Sequence, residues 1–143
     1  MEINNIAVFG GTGRTGALFI KKALERYHVK ALVRTQGKLD FSHQNLEVIQ
    51  GNATQPNDVK KTIEGTQAVV SLLGQTRDSP AYLQTTATQN ILDAMHQQGI
   101  KRLISLTGGG VRDEKNDDPQ FMDNFIVFLM KYVVGKTAKK ALY

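Results

Sequence analysis

No cysteine occurs among the 143 residues. Disulfides and thiolate metal sites are therefore excluded, and the absence suits a reducing compartment. The three histidines, His28, His43 and His96, are scattered. None has metal-ligand spacing with another, so no metal is expected. No Gly-x-Ser-x-Gly turn and no Cys/His pairing points to hydrolysis. The opening residues Met1-Glu2-Ile3-Asn4-Asn5 lack a basic stretch followed by an apolar run, so no signal peptide is expected and the reading is cytoplasmic. No platform of interleaved aromatic and basic residues appears, so nucleic acid is not an expected partner. No repeat, low-complexity tract or linker is visible, and the length suits one domain, 1–143, with a real core.

The bulk of the chain is ordinary for a globular protein, with 41% hydrophobic and 22% charged residues. The formal charge of +5, from 18 basic and 13 acidic residues, suits a polyanionic ligand such as a phosphorylated cofactor. Five short apolar runs predict buried strands: Asn5–Phe9, Val29–Val33, Leu46–Ile49, Ala68–Leu72 and Leu103–Leu106. Their near-continuous apolarity suits a parallel sheet covered on both faces.

Helical patterns separate most of these runs. The first contains Leu18 and Leu24 and ends near Tyr27. The second starts at Pro56 and runs through Val59 and Ile63, with Gly65 just beyond. The third has Ser79 as N-cap and Pro80 in its first turn. Leu83, Ala87, Ile91 and Met95 follow at four-residue spacing, and Gly99 closes it. This alternation predicts an α/β fold of Rossmann type. Its doubly wound parallel sheet is expected in the order 3-2-1-4-5, with helices on both faces and the ligand at the switch between strands 1 and 4.

The first strand runs into Gly10-Gly11-Thr12-Gly13-Arg14-Thr15-Gly16. Gly10 allows the turn, Gly13 lets the backbone approach phosphate, and Gly16 lets the following helix sit close to the sheet. The helix N-terminus carries unpaired N–H groups and about half a positive charge, which favours a pyrophosphate. At the end of the second strand, where NAD-preferring folds place Asp or Glu, this chain has Val33-Arg34-Thr35. Arg34 can fork onto a 2′-phosphate, with Lys38 and Arg14 adding charge, so NADP(H) is expected over NAD(H). A solvated surface arginine is the alternative.

Further candidates sit at the other strand ends. Gly51-Asn52-Ala53 follows the third strand, where Asn52 can hydrogen-bond the adenine amino group or simply make a turn. Leu73-Gly74-Gln75 follows the fourth, where the backbone can run along ribose and phosphates. Thr107 precedes Gly108-Gly109-Gly110 after the fifth strand, at the tip expected to face the nicotinamide, where its hydroxyl donates to a carboxamide or a substrate carbonyl. Tyr132 and Lys136 have the spacing of a proton-donor pair, in which an ammonium lowers a phenol's pKa. Core packing competes with that reading, because 121–134 is apolar nearly all round. With Lys131 inside, that segment is too short to span a membrane. It calls for a covering partner: a C-terminal lobe, a second copy of the chain or a substrate.

Ala7 to Gly16, Leu32-Val33-Arg34, Gly51-Asn52-Ala53 and Thr88-Gln89-Asn90-Ile91-Leu92-Asp93-Ala94 together resemble atypical short-chain dehydrogenases/reductases. The closest branch is the NAD(P)H-binding, NmrA-like and biliverdin-IXβ (flavin) reductase-like one. The resemblance implies that Gly10, Gly13 and Gly16 line the pyrophosphate, with Gly11, Thr12, Arg14 and Thr15 in the same turn. It also implies that Arg34 selects NADPH and that Thr107 lies beside the nicotinamide. Asn52 stands where the family usually has an adenine-contacting Asp. Family members continue into a substrate lobe, whereas this sequence ends at Tyr143. A C-terminal substrate lobe is therefore expected to be absent, as in a fragment, a truncated member or a variant completed by pairing.

The branch implies two main functions. One is an oxidoreductase moving a hydride between NADPH and a small acceptor such as a flavin, quinone or other carbonyl-like compound. The other is a non-catalytic NAD(P)(H)-sensing regulator acting on a protein partner. A sugar-nucleotide epimerase or dehydratase using Thr107, Tyr132 and Lys136 is a third.

Overall fold

In the computed structural model, residues 2–76 and 79–106 are described. The elements run β1 (Asn5–Phe9), α1 (Arg14–Ala23), β2 (His28–Val33), β3 (Leu46–Gln50), α2 (Pro56–Ile63), β4 (Ala68–Ser71), α3 (Leu83–Gln98) and β5 (Arg102–Ser105). Contacts separate two units. One comprises residues 1–74 and 84–106, and the other comprises 75–83 with 107–143. The first holds the sheet.

Its five strands lie in the order β3-β2-β1-β4-β5, all parallel, as the alternation of runs predicts. Phe9 stands opposite both Leu32 and Ser71, Leu32 opposite Ile49, and Ser71 opposite Ser105. All five C-terminal ends therefore line one edge of the sheet. The chain order 1-2-3 runs outward on one side of β1 and 4-5 on the other, so β1 and β4 form the switch point where a crevice opens.

Pleating sends alternate residues of β1 to opposite faces. Ala7 and Phe9 join Leu32, Ile49, Val69, Val59, Ile63, Ala87 and Ile91 in a core beneath α2 and α3. Ile6 and Val8 join Ile20, Ala23, Leu24, Val29, Ala31 and Val70 beneath α1. Both faces of the central strands are thus covered, which is why they read as unbroken apolar runs. The stripe Leu83, Ala87, Ile91 and Met95 is buried, as its spacing predicts. Ile91, 1% exposed on α3, offers a direct measure of that packing. Ile91→Ala is expected to lower unfolding stability by about 2–5 kcal/mol in a denaturant titration. A cost below about 1 kcal/mol would mean that α3 does not pack on the sheet as described.

Three expectations need correction. The third helix begins at Leu83, not at a Ser79 cap with Pro80 in the first turn. Tyr82 takes a left-handed conformation, φ 59°, which no helical turn accepts. Ser79 is engaged elsewhere, its Oγ 3.0 Å from the Thr76 N–H and 2.8 Å from Thr76 Oγ1. Secondly, β5 is not covered on both faces among the described residues: Arg102, Ile104 and Ser105 are exposed. Thirdly, β3 is only partly covered among the described residues, with Glu47, Val48 and Gln50 exposed and Ile49 buried. Both are edge strands of the described sheet, and short apolar runs do not reveal which strand lies at an edge. No helix among the described residues is long and apolar enough to cross a membrane.

Candidate cofactor site

The glycine turn leaves the end of β1 and enters α1. Gly10 has φ +81°, and a Cβ placed on it would lie 2.5 Å from the Leu72 carbonyl oxygen. Only glycine meets both conditions without strain. Gly16, in the first turn of α1, packs directly against the Gly10 carbonyl, so that a Cβ there would clash with backbone. This contact brings α1 down onto the turn. Gly11 is buried beside Ile20, which reaches to 2.5 Å of its would-be Cβ.

Gly13 differs from these three. It is the N-cap residue, with ordinary extended backbone at φ −73° and ψ 163°. Among the described residues a Cβ on it would meet only the Gly10 oxygen, at 3.4 Å. Its outer side is open, with Thr12, Arg14 and Thr15 exposed around it. The Gly13 N–H donates to the Gly10 oxygen (3.1 Å) and closes the turn. Among the described residues no side chain caps α1, and its first turn contains no acidic residue. The first N–H groups of a helix have no partner within it, so this end presents donors and partial positive charge to an anion. The turn thus fits a dinucleotide pyrophosphate, with Gly13 as the point of approach.

Arg34 follows the last residue of β2 and is exposed, as are Arg14 and Lys38. Among the described residues the ion pairs are Lys22–Glu25 and Lys30–Glu47. Neither pair engages Arg14, Arg34 or Lys38. Next to them, the Gly51 N–H donates to the Val33 oxygen (2.9 Å), joining the loop after β3 to the base of Arg34.

That loop is held from three directions. The Asn52 N–H donates to Asp58 Oδ2 (2.8 Å), and Asn90 Nδ2 donates to the Ala53 oxygen (3.0 Å). Asn52 Oδ1 accepts from the Thr54 N–H (3.1 Å) and so makes an Asx turn. That leaves one lone pair on the oxygen for a donor such as the adenine amino group. On the far side of β1, the Leu73 oxygen accepts from Gln84 Nε2 (2.8 Å), while Gly74 is exposed. Thr107, Tyr132 and Lys136 lie outside the described residues, as does 121–134.

The structure thus brings Gly10, Gly13, Gly16, Arg34, Asn52 and Leu73 to one edge of the sheet. It also reveals Asp58, Gln84 and Asn90, whose side chains hold the loops, and which the sequence reading did not single out as site residues. Asn90 carried a signal. Asn favours caps and turns over helix interiors, yet this one sits inside α3 between buried Ala87, Ile91 and Ala94.

The family model for NAD(P)H-binding proteins matches residues 10–142, and the chain belongs to that family. A 3 beta-hydroxysteroid dehydrogenase/Delta 5-->4-isomerase of Mycobacterium tuberculosis is 28% identical over 123 residues, covering 77% of this chain and 33% of the relative. Among solved structures, uronate dehydrogenase from Agrobacterium tumefaciens superimposes with a TM-score of 0.65. The two are 18% identical, over 76% of this chain and 42% of that one. A short-chain dehydrogenase/reductase from Veillonella parvula in complex with NADP gives 0.63 at 17% identity, covering 76% and 49%. The fold is that of the short-chain dehydrogenases/reductases, in agreement with the sequence resemblance. The chain spans a third of the length of the mycobacterial relative it matches.

Proposed function

We propose that this chain is the NADP(H)-binding part of a cytoplasmic oxidoreductase. The reaction would pass a hydride between NADPH and a small acceptor of flavin, quinone or carbonyl type. The observation that carries the reading is the glycine turn at the start of α1, with the exposed Arg34 one strand away and in no ion pair among the described residues. Gly10 to Gly16 would hold the pyrophosphate at the start of α1. Arg34 would fork onto the 2′-phosphate, with Arg14 and Lys38 adding positive potential. Asn52 and Ala53 would border the adenine, and Leu73 and Gly74 the ribose and phosphates.

The hydride belongs to the cofactor, and the protein supplies position and electrostatics. Thr107 would orient the carboxamide or the acceptor carbonyl, and Tyr132 with Lys136 would deliver a proton. The relatives named dehydrogenases support hydride transfer as the reaction class. Binding is tested by titrating the chain with NADPH and NADH, and turnover by following NADPH absorbance with a panel of flavins, quinones and aldehydes. NADPH should bind more tightly than NADH and be oxidised by at least one acceptor class. Tight binding without turnover would replace the reading with that of a nucleotide-sensing regulator. That role requires a partner whose affinity changes with nucleotide, since equal affinity for both states shifts no equilibrium.

A further inference from the structure

The loop after β3 is tied down more firmly than a surface turn requires. Its two outer peptide groups are gripped by side chains from two different helices. Asp58 belongs to the first turn of α2, at the third helical position after Gln55. In a capping box, an acidic residue there reaches back to the N–H of the cap residue. Here the Gln55 N–H donates instead to the Asn52 oxygen (2.9 Å), and the Asp58 carboxylate takes the Asn52 N–H (2.8 Å).

Gly51 is part of the same fit. A Cβ on it would lie 2.7 Å from the Asp58 carboxyl carbon. The absence of a side chain at 51 is what lets the carboxylate reach residue 52.

From the other side comes Asn90, 37 positions further along the chain. Asparagine in a helix interior costs roughly 0.5 kcal/mol of intrinsic propensity relative to alanine. Its amide here donates to the Ala53 carbonyl, while the Ala53 methyl is buried in the core that contains Ala87 and Ile91. The Asn52 N–H and the Ala53 carbonyl are thus both fixed, and the Asn52 side chain between them is held at the edge where Arg34 stands. Gly51 N–H to Val33 oxygen closes the frame.

We infer that Asp58 and Asn90 are positioning residues that preorganise the 51–53 loop for the 2′-phosphoadenosine half of the cofactor. The inference rests on the NADP(H) reading of this site. A loop already ordered in the free protein binds without the ordering cost that a mobile loop must meet. The two residues touch the loop and not the ligand, so their effect is confined to the part of the ligand that the loop borders.

The test splits the cofactor. Adenosine 2′,5′-bisphosphate and nicotinamide mononucleotide are titrated separately, with NADPH as reference, against wild type, Asp58→Ala, Asp58→Asn and Asn90→Ala. Asp58→Ala and Asn90→Ala should each weaken the bisphosphate about tenfold, the size of one lost charge-assisted or preorganising hydrogen bond. Nicotinamide mononucleotide binding should stay unchanged. Asp58→Asn, which retains an acceptor oxygen, should recover part of the loss. Asn90→Asp keeps the shape, removes the donor and is scored in the same way if the alanine variants do not fold. Equal weakening of both halves, or folded variants that bind the bisphosphate like wild type, would overturn the positioning role. A wild-type chain that binds NADPH only through its nicotinamide half would do the same. A wild-type chain that binds none of the three would instead overturn the cofactor reading and the positioning role with it.

Discussion

Arg34→Ala is expected to raise the Kd for NADPH by roughly 10- to 150-fold and to leave the Kd for NADH nearly unchanged. The range corresponds to about 1.5–3 kcal/mol for a hydrogen-bonded contact to a charged group. NADH lacks the 2′-phosphate, so it loses nothing when the guanidinium is removed. Arg34 is exposed at the end of β2, and its contact is therefore open to screening. The gap between the two cofactors should narrow as salt is raised. Arg34→Lys should fall between wild type and alanine, because it keeps the charge and loses the planar fork. Fluorescence titrations of both cofactors at two ionic strengths measure all of this. Equal losses for NADPH and NADH would remove Arg34 from the 2′-phosphate and return it to an ordinary surface arginine.

The second large effect separates glycines that build the turn from the one that meets the ligand. Gly10→Ala should destabilise the fold by about 3 kcal/mol. It combines a left-handed backbone penalty of about 1–2 kcal/mol with the cost of forcing a methyl into filled space. The φ of +81° and the 2.5 Å approach to the Leu72 oxygen are its two causes. Gly13→Ala should leave stability within about 0.5 kcal/mol of wild type. Its backbone suits any residue, and among the described residues only the Gly10 oxygen lies near the added methyl. Yet that methyl projects where a pyrophosphate must approach, so NADPH affinity should fall by at least about tenfold. Thermal unfolding and cofactor titration on the same two variants decide the matter. A Gly13→Ala chain that binds NADPH like wild type would mean that the turn is a packing device and not a phosphate cradle.

These two experiments address features that were readable before any fold was known. Gly10, Gly13 and Gly16 form a local pattern, and their order after an apolar strand already implies a turn and a helix N-terminus. Arg34 was legible because it stands at the end of a strand where the alternative chemistry is a carboxylate. The strand order was legible because the apolar runs alternate with helical patterns, and crossover handedness leaves few topologies.

Asp58, Gln84 and Asn90 were not legible as site residues. Asp58 in a helix's first turn has a local explanation, a favourable interaction with the helix dipole. Only the fold brings it to the Asn52 N–H. Gln84 and Asn90 are polar residues of an otherwise amphipathic helix, and nothing near them in sequence says that Leu73 and Ala53 are their partners. The exposure of β5 and of much of β3 was hidden for a related reason. A strand's own residues record that it is apolar, whereas its place at the rim depends on what pairs beside it. The start of α3 was misplaced because Ser79-Pro80 is a sound local cap signal, and the left-handed Tyr82 overrides it.

The sequence by itself therefore determined what is governed over a few neighbouring residues: the phosphate-binding turn, the charge at the end of β2, the periods of strand and helix, and from these the α/β class. The tertiary structure alone decided which helix side chains hold the loops of the site and which strands lie at the edges. Hydrogen bonds such as Asn90 to Ala53 join positions 37 residues apart. Such pairings follow from the stacking of α2 and α3 on one face of the sheet, which is a property of the whole core and of no single segment.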